Sequence, residues 1–301
     1  QIQAEAASLR ILGNCSSSGD DYAWGKASSD GTYTYIPVFQ GGLLNVFKVA
    51  QDGTVSAKWG ADSSSSGYAT TCFYDGYLYV ASSGDGTKLS SLTKYATNGA
   101  AIWQKQFSDS RIRLFGVTSG DAKIFVNGES QGPVNFSSQD SGYLAAIDTT
   151  SGNTLFERTY TDQGTSYIGS LTYKDGSLYA TAALYGNVDY DSSVALKLDS
   201  QTGNVIWSRR SAYPDWNAAT LGVVYGNLLL AVGYKADGGD RVDDHIIAYD
   251  QTTGQIAWDY SWGDNNSQGL SSIAVYQGNI YVAGCDGVPW NQDGNYRADV
   301  Y

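Results

Sequence analysis

The residues that could do chemistry in this chain are few, and they are scattered. A single histidine, His245, stands in "DDHIIAYD", and the three cysteines are Cys15, Cys72 and Cys285. One imidazole with no cysteine beside it makes no zinc centre. No Ser–His–Asp set and no glycine loop built to cradle a phosphate emerges from the spacing. Oxygen donors are plentiful: "DYDSS", "DGGDRVDD" and "NQDGNYRAD" carry the hard ligands that Ca²⁺ takes. None follows the D-x-[DN]-x-[DN]-G order with a glutamate at position twelve that marks an EF-hand. A structural calcium in one loop is therefore a secondary expectation. Aspartates crowd so many loops that no carboxylate pair nominates itself as acid and base, and no catalytic residue is assigned.

Bulk composition narrows the partners. The chain has 301 residues, 30 Asp and Glu against 18 Lys and Arg, and a formal net charge of −12. A nucleic-acid binder needs a basic stripe to neutralise phosphates, and an anionic membrane surface makes the same demand, so both are disfavoured. Cations, neutral sugars and basic protein surfaces stay open. With 36 Gly, 24 Tyr and only 4 Pro, the mixture suits many short strands joined by tight turns. There is no methionine at all, so residue 1 is not an initiator. A removed signal peptide is the expected cause, which puts the protein outside the cell or on its surface, in the periplasm if the source is bacterial. No run of 18 apolar residues is present, so no membrane insertion is expected.

What must position any site is a repeat. "AQDGTVSAKW", "YATNGAAIW", "TSGNTLF", "QTGNVIW" and "TTGQIAW" end at Trp59, Trp103, Phe156, Trp207 and Trp258, at intervals of 44 to 53 residues. A period of roughly 40–50 residues marks propeller blades of about four strands each. A second motif keeps step: "CFYDGYLYVA", "GVTSGDAKIFVN", "LTYKDGSLYATA", "GVVYGNLLLAVG" and "IAVYQGNIYVAG" join two apolar strands through a Gly-containing turn and read as β-hairpins. Each blade then runs hairpin, long loop, strand, short turn and aromatic strand. The recurring aromatic has a packing explanation, as filler of the wedge between blades.

Six blades are expected, at about 20–62, 67–108, 113–161, 166–212, 218–262 and 269–301. The sixth lacks an aromatic strand, because the sequence reaches Tyr301 first. An unpaired edge invites aggregation, and closing the ring removes it. The strand-like "ASLRILGN" at 7–14 has no blade of its own and is expected to complete blade six. That arrangement brings the end of one strand, at Cys285, near the residue just past another, Cys15, and predicts a Cys15–Cys285 disulfide, which an oxidising compartment permits. Cys72 reads as a small buried hydrophobe.

The pattern A-x-D-x-x-T-G-x-x-x-W, present as "ALKLDSQTGNVIW" and "IIAYDQTTGQIAW", resembles the PQQ-like β-propeller repeat from about residue 24 to 301. The resemblance implies the fold far more than a function, since that repeat serves both quinoprotein dehydrogenases and a non-enzymatic outer-membrane assembly lipoprotein. Eight-bladed alcohol dehydrogenases of the family carry an adjacent Cys-Cys pair, which this chain lacks. Six-bladed sugar-oxidising quinoproteins use a His base, basic groups for the cofactor carboxylates and calcium. Here His245 is alone, and Arg111, Arg113, Arg209, Arg210 and Arg241 follow no motif that converges them. No cofactor is expected, PQQ included.

The repeat also sorts the loops. Hairpin turns and short turns share one face; the long loops share the other, and rigidly held loops are where binding residues concentrate. Among that face's aromatics, Tyr185, Tyr190, Tyr213, Trp216, Trp262 and Trp290 are the candidate ligand-binding residues. Flat rings among carboxylates and amides suit sugars, and they serve equally as anchors for a protein partner. Asn14, Asn135 and Asn265 begin N-x-S/T sequons, the acceptor pattern for N-glycans. The expectation is an exported, non-catalytic recognition or assembly module for carbohydrate or an extracellular protein, with self-assembly into a surface structure within the same reading. The competing expectation is an enzyme, either a sugar-oxidising quinoprotein or a carbohydrate-active propeller hydrolase or lyase.

Overall fold

The computed structural model describes residues 25–40, 42–61, 68–84, 87–131, 140–161, 166–184, 192–211, 221–236, 242–262, 267–287 and 296–300. These residues form strands and turns, with no helix among them. The first sheet is β1 (Ser28–Ser29), β2 (Tyr33–Gln40), β3 (Leu43–Ala50) and β4 (Val55–Gly60). The second is β5 (Ala69–Tyr74), β6 (Tyr77–Ser82), β7 (Ser91–Ala96) and β8 (Ala101–Gln106). The third is β9 (Ile112–Gly120), β10 (Lys123–Ser130), β11 (Ser141–Asp148) and β12 (Thr154–Tyr160), and the fourth β13 (Tyr167–Lys174), β14 (Ser177–Leu184), β15 (Ser192–Asp199) and β16 (Val205–Arg210). The fifth holds β17 (Leu221–Tyr225), β18 (Leu228–Ala236), β19 (Val242–Asp250) and β20 (Ile256–Trp262). The sixth has β21 (Ser267–Tyr276), β22 (Asn279–Gly287) and β23 (Tyr296–Val300), and one parallel bridge, Val242 to Ser267, joins it to the fifth. Each sheet is an antiparallel meander in chain order. Successive first strands, from β5 through β9, β13 and β17 to β21, stand against one another around an axis. The fold is an all-β propeller with six sheets; the expected closing strand at 7–14 lies outside the described residues.

Local chemistry makes the turns. Most hairpins turn through two left-handed residues, Asp75-Gly76, Asp121-Ala122, Asp175-Gly176 and Gln277-Gly278, the conformation that matches strand twist. The Asp121-Ala122 turn of the third sheet departs from the expectation of a glycine in the turn. Ala122 takes φ 56° there, because Gly120 is used elsewhere: a Cβ on it would lie 2.1 Å from the ring of Tyr173 in the next sheet. The D-x-x-T-G turns are knotted by their aspartates. Asp199 Oδ1 accepts hydrogen bonds from the N–H of Gln201 and from both the N–H and hydroxyl of Thr202. Asp250 does the same with Thr252 and Thr253, and Asp148 with Thr150 and Ser151. These bonds hold all three carboxyls below the usual carboxylate range.

The core lies between sheets rather than inside any one of them. Leu144, Ile168 and Leu196 belong to the cluster of sheets three and four; Tyr79, Leu114 and Ile124 to that of two and three. The repeat aromatics are the wedges. Trp59, Trp103, Phe156 and Trp207 each face the turn glycine of the following sheet, and a Cβ on Gly99, Gly152, Gly203 or Gly254 would stand 2.8, 3.0, 2.7 or 2.7 Å from the ring. Glycine at that position lets the next blade close on the aromatic.

Candidate functional site: the axial cavity

Equivalent positions on the first strands converge on the axis. Thr70 pairs with Ala81, Gly116 with Asn127, Ser170 with Thr181, Leu221 with Val232 and Ser272 with Ala283, one register in five sheets. The first member of each pair lines a cavity of ≈ 290 Å³, to which Gly25 and Lys26 ahead of β1 also contribute. Five sheets and the segment leading into the first therefore reach it, with residues that differ from blade to blade.

The third sheet breaks the pattern. Gly116 has no side chain, and Asn127 fills the space: a Cβ on Gly116 would sit 2.3 Å from Asn127 Oδ1. The fully buried Asn127 donates through Nδ2 to the Ile168 carbonyl at 2.9 Å, while its Oδ1 has no hydrogen-bond partner among the described residues. A buried carbonyl oxygen left unpaired costs about 1–3 kcal/mol, so it is an acceptor in want of a donor. Ser170 hydroxyl bonds Thr181 and the Gly222 carbonyl. Lys26 is the one charged residue on the described lining, and it is exposed.

Toward the long-loop face stand three half-buried rings from successive sheets. Tyr68 and Phe115 meet edge to face at 5.7 Å, as do Phe115 and Tyr167 at 5.8 Å. The Tyr68 hydroxyl donates to the Phe115 carbonyl at 3.0 Å, which ties the arc together. Along the same face of β10, two residues beyond Asn127 toward that end, Glu129 is buried beside Gln131, whose Nε2 donates to Oε1 at 2.9 Å, with Arg113 Nη1 at 3.8 Å. Burial drives the Glu129 carboxyl up to about 7; Arg113 opposes this and Asp140 adds to it.

Most of the residues singled out from the sequence lie elsewhere. Trp262 packs against the core between sheets five and six and stacks on Tyr260 at 5.7 Å. Tyr185, Tyr190, Tyr213, Trp216 and Trp290 lie outside the described residues, as do Cys15, Asn14, Asn135, Asn265 and Arg241. Cys285 is described only by its backbone, opposite Ala298. Cys72 packs on the core of sheets two and three, its thiol 3.3 Å from Ser119 Oγ and its pKa raised by burial. His245 is buried in β19, 3.7 Å from Asp259, and is not on the cavity wall. Arg111 pairs with Asp109, Arg113 with Glu129, and Arg209 donates to the Thr253 carbonyl, so these cations do not converge. Among the described residues no cluster of three or more acid, His or Cys side chains could hold a metal.

With that geometry in view, kinship is decided by the sequence family. A family model for the outer membrane protein assembly factor BamB matches residues 88–237 and 197–288. The chain belongs to this PQQ-type repeat family. No curated protein matches it. Among solved structures it resembles Kuenenia stuttgartiensis hydrazine synthase, with TM-score 0.61, 13% identity, and 87% of this chain and 76% of that one covered. Quinohemoprotein alcohol dehydrogenase from Comamonas testosteroni gives 0.53 at 12% identity over 81% of this chain, which spans only 43% of that enzyme. A subtype N10 neuraminidase-like protein of A/little yellow-shouldered bat/Guatemala gives 0.54 at 13%, covering 87% and 88%. At such identities the likeness is one of fold.

Quinone-dependent neighbours pose a direct test of fit. A quinone bearing several carboxylates, with its calcium, calls for several cations and a set of oxygen ligands. The described lining offers Lys26 alone and no carboxylate, so it does not fit that group. Missing the cavity from sequence has a plain cause: its residues lie within hairpin strands, where Thr, Gly and Ser look like ordinary strand residues. One signal was there, a polar Asn127 inside the apolar run "KIFVNGES".

Proposed function

We propose that the protein is an exported recognition module, without chemistry of its own, that binds carbohydrate at the mouth of the axial cavity on the long-loop face. The observation that carries this reading is the Tyr68–Phe115–Tyr167 arc above a cavity whose wall holds the unpaired Asn127 Oδ1. A sugar stacks its C–H faces on rings and donates hydroxyls to buried acceptors, and such a donor answers the Asn127 oxygen. At ≈ 290 Å³ the cavity is at the small end of ligand sites, fitting a terminal sugar ring rather than the middle of a long chain. Among the described residues no helix is long and apolar enough to cross a membrane. Kinship with an outer-membrane assembly factor supports a location in the periplasm or at the outer membrane.

That same kinship favours a second reading, a protein partner docked on the long-loop face. Saturation-transfer NMR against a panel of mono- and disaccharides separates the two. Transfer to ring protons of a sugar, abolished in a folded Tyr68→Ala variant, is the expected result. No transfer from any sugar at millimolar concentration, with a partner captured from a periplasmic extract and lost in the same variant, would replace carbohydrate with protein.

A further inference from the structure

The wall of the axial cavity has two unlike sides. Lys26, Thr70, Asn127 and Ser170 bring polar side chains from the segment ahead of β1 and from sheets two, three and four. Leu221 and Ile273 make the wall apolar where sheets five and six reach it. The chain carries 30 acidic residues against 18 Lys and Arg, yet the described lining holds one cation and no carboxylate. That runs against the composition.

Lys26 is held in place by its backbone. Its carbonyl accepts hydrogen bonds from the Thr71 N–H at 2.8 Å and the Thr71 hydroxyl at 3.2 Å, which lace the segment ahead of β1 to β5. The approach is close: at φ 135°, a Cβ on Gly25 would lie 1.6 Å from the Ala69 carbonyl oxygen, so only glycine fits. The Lys26 side chain is exposed, and among the described residues no carboxylate pairs with its ammonium. Its charge is felt on the neighbouring strand: burial raises the Cys72 thiol, and Lys26 opposes that rise. A cation on an anchored backbone at the edge of a cavity suits an anionic ligand group. Sheet three makes the complementary demand, for a hydrogen-bond donor, through the buried and unpaired Asn127 Oδ1.

We propose that the ligand of this cavity is an acidic sugar, a terminal uronic acid whose carboxylate meets the Lys26 ammonium. The inference rests on the carbohydrate reading of the site and adds the charge of the ligand to it. A uronic acid carries on one ring everything the wall asks for. Its carboxylate answers Lys26, a hydroxyl donates to Asn127 Oδ1, and its C–H faces lie on Leu221, Ile273 and the Tyr68–Phe115–Tyr167 arc. One lysine balances one negative charge, which suits a carboxylate better than a phosphate dianion. Three unlike anchors on different blades leave the ring one way to sit. The net charge of −12 does not forbid an anion here. Salt screens exposed charges beyond about 8 Å, while at contact distance the nearest charge dominates.

The test is competition in saturation-transfer NMR on the full chain. Glucuronate and galacturonate are set against glucose, galactose and glucuronamide, the last of which keeps the shape and loses the charge. The expected result is that the better uronate binds roughly fivefold tighter or more than its uncharged counterparts, the size of one exposed ion pair. Lys26→Gln should bring that ratio below about twofold, and Lys26→Arg should keep it. An uncharged sugar that binds as tightly as the uronates overturns the proposal and leaves the carbohydrate reading standing. A uronate preference that survives Lys26→Gln overturns the role given to Lys26. Acetate competing as well as the uronates marks an anion site blind to the ring, and overturns the proposal too. No transfer from any sugar removes the carbohydrate reading, and this proposal falls with it.

Discussion

Replacing Glu129 by glutamine should make the protein more stable at pH 8 and leave it nearly unchanged at pH 4. Glu129 is 2% exposed, and burial lifts its carboxyl from the ordinary 4.5 to about 7. Below pH 4.5 the group is protonated in folded and unfolded chains alike and exerts no pull on the equilibrium. Between 4.5 and 7 the folded chain holds a proton that the unfolded chain has lost, so stability falls as pH rises, and above 7 the loss is complete. At about 1.4 kcal/mol per pH unit, the ionised carboxylate costs roughly 3 kcal/mol. Glutamine carries no such cost and can keep the bond to Gln131. That cost is already net of the attraction of Arg113, 3.8 Å away, which is among the influences that set the carboxyl at about 7. The gain expected at pH 8 is therefore about 3 kcal/mol, read as a higher urea midpoint in tryptophan fluorescence at half-unit steps from pH 4 to 8.5. Wild-type and variant curves that run parallel across that range would refute the reasoning.

Three further outcomes are expected. Ala122→Gly removes a non-glycine residue from φ 56° and should raise stability by about 1 kcal/mol, seen as a rise in the thermal midpoint. Gly254→Ala puts a Cβ in a left-handed position, 2.7 Å from Trp207, and should cost about 2–3 kcal/mol in urea unfolding. Gly116→Ala forces the Asn127 carboxamide off its place and should break its bond to Ile168, lowering stability by about 1–2 kcal/mol and abolishing sugar transfer in the NMR assay.

The parts of the fold that were legible are those where a local rule fixes residue identity. The D-x-x-T-G turn can be read because an aspartate must collect three donors before a glycine the aromatic can face, as Asp199, Thr202 and Gly203 do. Sheet one was harder, since β2 and β3 stay paired as far as Gln40 and Leu43, with only two residues between them in sequence, where other blades have longer connections. Trp262 illustrates a different limit. As the last residue of a strand on the long-loop face it has the credentials of a binding residue, yet it packs against a cluster of Val232 and Ile246 of its own blade with Leu270 and Val282 of the next. Sequence shows which end of a strand a ring occupies; whether it turns to solvent or to the neighbouring sheet is set by how close that sheet comes.

The same distinction explains why the candidate site escaped a motif search. A repeat conserves within one chain what every blade needs, the turn aspartate, its glycine and the wedge aromatic, so its most legible residues are packing residues. Recognition needs what the blades do not share. The cavity register reads Thr70, Gly116, Ser170, Leu221 and Ser272: the backbone places five residues equivalently, and their identities are free to differ. Asymmetry enters where one blade gives up a side chain, at Gly116, and Asn127 of the adjacent strand takes the space with an oxygen left unpaired. In a symmetric scaffold the site is to be sought at such departures, because only a broken repeat gives an asymmetric ligand one way to sit.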